Sequence, residues 1–238
     1  KVMIFKNSFL FLKKKTQSLY LNSNIYNKKI SLFSDSSLGY RPSPSLLDCL
    51  IKYNKKKVDI DNYSLDTIWT NQNLIEKDYD NLNSFFWLFS LDLKSSKKET
   101  QNIILGWIKK NDKFDSKSWE IDILAKRVIA WISNAKLTYE DGGVVYRNKF
   151  NNIIKKQINH LVNEIKRDQW VDDKMIGCAA IILTGLSYGD KEQYLNIGLN
   201  LLKRIIRSSF DTNGFPKSRN IKQLNLYLKY FVLDWFQL

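Results

Sequence analysis

The sequence predicts an all-α fold, and three observations carry that prediction. Its 238 residues contain only nine Gly and three Pro, too little punctuation for a sandwich of many short strands and turns. Apolar residues make up 44% of the chain and aromatics 13%, enough to bury a sizeable core. From residue 64 onward, apolar residues return at the i, i+3, i+4, i+7 spacing of one helix face, with short polar loops between the segments.

Taken in order, residues 1–60 form a basic, less regular N-terminal segment ahead of a helical domain over 61–238. A short apolar helix is expected around Val2 to Leu12, followed by a Ser/Asn-rich connection. In "YRPSPSLLDCLIKYNKKK", Ser45 can cap a helix after the breakers Pro42 and Pro44, with Leu46, Leu47, Leu50 and Ile51 on one face. Segment 119–137 carries Ile121, Leu124, Ala125, Val128, Trp131, Ile132 and Ala135 on one face. Segment 147–167 repeats this with Phe150, Ile153, Ile154, Ile158, Leu161, Val162 and Ile165 against a charged face, so an outer, solvated helix is expected.

Segment 174–187, "KMIGCAAIILTGLS", is apolar or small nearly all round and must be surrounded by protein. Segment 191–208 is amphipathic again, and 219–236 is broadly apolar. Outer and inner helices therefore alternate in hairpins over 99–136, 147–187 and 191–236, the pattern of a helical solenoid or toroid. Between Asp141 and Val144, Gly142 and Gly143 read as a helix stop at positions that favour glycine.

Strict up-down alternation brings the loops that precede inner helices to one end. These are 111–120, 167–174 and the interruption "DTNGFPKSRN" at 211–220. That end gathers Trp119, Trp170, Phe215, Lys217, Arg219 and Asn220, aromatic platforms beside basic and amide groups. Sugars and nucleic acids are both bound by such sets.

The net charge is +14, and residues 1–57 hold twelve Lys or Arg against Asp35 and Asp48. Such a balance attracts nucleic acid, anionic lipid or an acidic polysaccharide. The richness in Asn, Ile and Lys is also what AT-rich coding produces with no partner involved. Cys49 and Cys178 read as small buried hydrophobes, and with His160 as the one histidine neither a metal site nor a cofactor is expected. No run reaches the roughly 18–20 apolar residues that span a bilayer. The apolar start, broken by Lys6 and Asn7 and followed by lysines, is a poor signal peptide.

The run "FFWLFSLDLKSSKKETQNIILGWIKKNDKFDSKSWEIDILAKRVIAWISNA" resembles the N-terminal helical region of bacterial heparinase II/III-like proteins. The features that carry the likeness are Trp87 to Leu91 with Asp92 and Leu93, Trp107-Ile108, and Trp119, Asp122, Arg127 and Trp131. The stretch from Leu183 through "FDTNGFPKSRN" is similar to the family's "D-G-G-H-x-S-R-N" region, with Gly214, Phe215 and Pro216 where many members carry His.

The resemblance implies an incomplete (α/α) toroid, a C-terminal β-sandwich in full-length members, and a polysaccharide lyase of the cell envelope or periplasm. Its ligand would be an anionic, uronate-containing polysaccharide, with nucleic acid not expected. In such a lyase, amide or imidazole groups neutralise a uronate, a Tyr or His removes its α-proton and another group gives a proton to the leaving oxygen. Lys217, Arg219, Asn220, Trp119, Trp170 and Arg127 are the substrate candidates, and Asn220 and Tyr227 the catalytic ones. A chain lacking the sandwich would be inactive.

Bland readings stand beside these. Arg127 fits a buried ion pair with Asp92 or Asp122 as well as a sugar contact. Trp131 fits the core, and Trp119 and Trp170 fit core or platform alike. His160 fits a partly exposed structural role. A second function class is a noncatalytic helical-repeat module that docks nucleic acid or an anionic surface on the basic N-terminal segment.

Overall fold

A computed structural model describes residues 12, 15–33, 36–39, 69, 75–90, 96–189 and 191–235. The helix expected over Val2 to Leu12 lies outside the described residues apart from Leu12. The Ser45-capped helix, Cys49, and the motif residues Leu91, Asp92 and Leu93 lie outside them too. Among the described residues every regular element is helical, and the one β-feature is an isolated bridge between Phe210 and Pro216.

Near the start, α1 (Asn24–Ile30) is capped by Ser23, whose Oγ accepts from the Tyr26 N–H at 3.1 Å. Next come α2 (Glu76–Ser84), a 3-10 turn Phe86–Ser90, and α3 (Lys97–Asn111), capped by Ser96 Oγ. Then α4 (Ile121–Ser133) breaks at Asn134 into the short α5 (Ala135–Thr138). The long α6 (Val144–Glu164) ends in a 3-10 turn Ile165–Arg167 and leads to α7 (Val171–Ser187). A π-turn Lys191–Leu195 opens α8 (Asn196–Ser209), and α9 (Ile221–Trp235) follows. The helices expected from periodicity are thus present, and of the expected hairpin partners α6 and α7 pack directly on each other.

As its composition requires, α7 sits at the centre, packed against α4, α6, α8 and α9. Ile176 to Gly185 are buried without interruption. Close approach explains Gly185: a Cβ there would lie 2.6 Å from the backbone nitrogen of Leu195 and 2.9 Å from its Cα. The Cys178 thiol, buried about two turns earlier on the same helix, lies 3.2 Å from the Gly198 carbonyl.

A second focus is aromatic. Phe85, in the left-handed conformation that ends α2 (φ 56°), stands edge-on to Trp107 and Trp131 at 6.3 and 5.1 Å. Trp131 stacks on Phe150 at 5.4 Å. The tryptophans that read as motif positions are therefore core, packed where ring edges meet ring faces.

Two expectations are corrected here. The "outer, solvated" α6 is buried from Ile153 to Leu161, because the N-terminal segment lies across its polar side. Asn159 Nδ2 donates to the carbonyls of Ile30 (2.9 Å) and Leu32 (3.1 Å), and Lys155 Nζ to that of Ser36 (2.6 Å). At the 140–145 stop, the left-handed residue is Asp141 (φ 60°), not a glycine. Gly142 is small because a Cβ would meet the Tyr146 ring at 2.7 Å.

Candidate functional site

The turn 211–220 holds itself together. Asp211 Oδ1 accepts from the N–H groups of Asn213 (2.9 Å) and Phe215 (3.0 Å), and the Asp211 N–H donates to the Phe215 carbonyl at 2.8 Å. The Phe215 N–H first, then that of Asn213 and the Arg219 guanidinium, hold the Asp211 carboxyl below the usual range. Gly214 supplies the left-handed step (φ 79°) that lets the chain reverse.

Each basic or amide candidate in this turn also has a structural task. Lys217 Nζ donates to the carbonyls of Arg207 (3.2 Å) and Ser208 (3.0 Å), the open end of α8. Arg219, itself left-handed (φ 55°), pairs with Asp211 at 2.8 Å and lies over the Phe215 ring at 6.0 Å. Asn220 caps α9: its carbonyl accepts from Leu224 N–H, and its Oδ1 from Lys222 N–H at 3.0 Å. That leaves the Asn220 amide NH2 as a donor for something else. Lys217, Arg219 and Asn220 are all exposed.

Gln223 Nε2 donates to Asp172 Oδ1 at 2.8 Å and so ties the start of α9 to the start of α7. Trp170 is the residue just before α7 and is 71% exposed, while Phe215 in the neighbouring turn is 54% exposed. These two rings are the open aromatic surfaces at this end.

The sequence reading missed the acids of this end. Burial first, and then the charge of Asp122, raise the pKa of Asp80, Glu120 and Asp173, with Asp173 pushed up to about 6 against the pull of Lys126. For Glu120, Asp122 and Asp173 the sequence signal is plain, as acids in "SWEID" and "WVDDK" at helix starts, where the helix dipole favours them. Among the described residues no three His, Cys, Asp or Glu are grouped to hold a metal ion.

Other candidates sit inside the protein. Arg127 is fully buried, donating to Gln157 Oε1 (3.0 Å) and to the carbonyls of Asn83 (2.8 Å) and Ser118 (2.9 Å), with its guanidinium 4.0 Å from the Trp107 centroid. Burial lowers its pKa to about 9, so it stays charged at neutral pH. Asp122, one of the partners considered for it, pairs instead with Lys126 at 2.7 Å. Trp119 is buried with its indole N–H on the Asn111 carbonyl. Neither residue presents a face to a ligand.

Tyr227 is also buried, and burial followed by the charge of Asp172 raises its pKa. Such a phenol holds its proton tightly. His160 is buried instead of partly exposed: Nδ1 faces Tyr26 Oη at 2.7 Å, between the rings of Trp119 and Phe114. Burial lowers its pKa to about 4, against a hydrogen bond with the Trp119 backbone, so it is a neutral core residue.

No family model, curated protein or solved structure matches the chain. The heparinase II/III-like resemblance therefore stands on the sequence positions alone. Of those, Trp87, Trp107, Trp119, Arg127 and Trp131 are core residues.

Proposed function

We propose that this chain is the helical part of a heparinase II/III-like polysaccharide lyase of the cell envelope, its hairpins set out as an incomplete (α/α) toroid. In this reading it binds an anionic, uronate-containing polysaccharide at the end formed by 167–174 and 211–220. One observation carries the reading: Trp170 and Phe215 are exposed on segments that the Gln223–Asp172 bond joins, with the Arg219 guanidinium beside Phe215 and the Asn220 amide in the same turn. Aromatic faces take up sugar rings, and a guanidinium meets a carboxylate through paired hydrogen bonds.

The acids limit where the polymer can lie. Asp122, Asp172 and Asp173 at the starts of α4 and α7 repel a uronate, so its carboxylates sit over Arg219, Lys217 and Lys222 at the turn. Arg219 neutralises the uronate by exchanging Asp211 for it, and Asn220 adds its amide NH2. Both acts make the α-proton more acidic, which is what elimination needs.

Equilibrium binding to polygalacturonate, with dextran as the neutral control, tests the binding half. The chain should bind the uronate polymer selectively, and Trp170→Ala with Arg219→Ala should weaken it about tenfold or more. Equal affinity for dextran, or a double variant that binds like the parent, would sink it. The lyase half is tested by the ultraviolet absorbance of unsaturated ends made by the protein as the cell produces it. Uronate polymers bound but left uncut would overturn that half alone.

A further inference from the structure

The N-terminal segment has two faces, and the turn at 211–220 accounts for neither. Its inner face anchors it to α6 through Tyr26 and Ile30, both fully buried, and through the Asn159 and Lys155 bonds described above. Its outer face is unusual for a protein surface. On α1, Ile25, Lys28 and Lys29 follow the spacing i, i+3, i+4, so they lie along one side, and Leu32 follows just past the end of the helix. Upstream, Leu12, Lys15 and Leu19 repeat the spacing i, i+3, i+7.

The four aliphatic side chains of these stripes are between 58% and 75% exposed, and the three lysines are exposed too. Residues 1–34 contain seven Lys and no Asp or Glu. Isolated exposed leucines are ordinary on a protein surface. Apolar residues set in line with lysines, on a segment free of acids, are not.

We propose that this outer face is an interfacial docking surface for an anionic lipid bilayer. The aliphatic side chains enter the boundary between headgroups and acyl chains, while Lys15, Lys28 and Lys29 lie along that boundary with their ammonium groups on lipid phosphates. Charge complementarity selects an anionic surface, and the aliphatic residues select lipid over nucleic acid, which offers them nothing to bury against. The protein lies on the membrane in this account. Among the described residues no helix is long and apolar enough to cross one. The polysaccharide reading plays no part in the argument, since the surface and the turn share no residue.

Sedimentation with vesicles tests it, using phosphatidylcholine alone and phosphatidylcholine with about 30% phosphatidylglycerol. The expected result is at least about tenfold stronger partitioning to the anionic vesicles, weakened by added salt. Lys28→Glu with Lys29→Glu should remove most of that preference. Leu19→Ser with Ile25→Ser and Leu32→Ser should weaken binding by a similar factor, with the thermal midpoint unchanged because all these side chains are exposed. Equal partitioning to both vesicle types, or none, would overturn the proposal. So would an aliphatic variant that binds vesicles like the parent while the charge variant loses affinity for DNA, the mark of a nucleic-acid surface. An aliphatic variant that only turns a dimer into a monomer would overturn it in favour of self-association.

Discussion

Arg127, on an inner helix, and Arg219, at one end of the helical array, both read from the sequence as candidate ligand contacts, and the structure puts them in opposite conditions. Arg127 has no exposure and gives its donors to Gln157, Asn83 and Ser118. Arg219 is exposed, with Asp211 and the face of Phe215 as its partners. A cation whose partners are buried acceptors cannot leave them without stranding each one. A cation in an exposed pair with a single carboxylate can exchange it for another at little cost. The difference separates a hub of the fold from a group that a ligand can recruit.

The sharpest way to break that comparison is to remove each arginine in turn. Arg127→Ala should destabilise the protein by about 3–5 kcal/mol in denaturant unfolding, since it strands three acceptors and leaves a cavity against Trp107. A loss below about 1 kcal/mol would mean that the interior does not depend on it.

Acid should act on the interior next. His160 takes up a proton near pH 6.5 when unfolded but only near 4 when folded, so the unfolded state gains protons first as the pH falls through that window. Stability should therefore drop by about 3 kcal/mol from this group between those values, with no further loss from it below about 4. His160→Gln, less stable at neutral pH, should show a smaller acid dependence when unfolding is followed across the window.

Gly185→Ala probes the same interior by sterics. The added methyl meets the Leu195 backbone, and a cost of about 1–3 kcal/mol is expected from thermal unfolding. At the turn, Arg219→Ala should change stability by under about 1 kcal/mol. A larger loss there would make Arg219 a structural residue like Arg127 and erase the contrast.

How much of this was legible in the sequence follows from what periodicity can and cannot encode. The helices were legible because Leu124, Val128 and Trp131, or Ile154, Ile158 and Leu161, share a face whatever covers it. The surroundings of the opposite face were not. Lys155, Lys156 and Asn159 read as part of a solvated face because they are polar, yet a segment more than a hundred residues away supplies backbone carbonyls that let two of them be buried. Trp119 and Trp170 show the same limit at the candidate site. Both precede a helix by one or two residues, and only tertiary packing makes one an interior indole and the other an open platform. The left-handed Asp141 and Arg219 were hidden as well, since nothing local distinguishes them from neighbours with ordinary backbone.

The central claim is that ligands meet the turn around Arg219 and not the interior around Arg127. Its most direct test is a nuclear magnetic resonance titration with an oligogalacturonate, following the indole N–H signals of Trp170 and Trp119 together with the amides of 211–223. The account predicts that Trp170 and the turn amides shift in a saturable way while Trp119 stays in place. Saturable movement of Trp119 with Trp170 unaffected, or no movement of either, would contradict it.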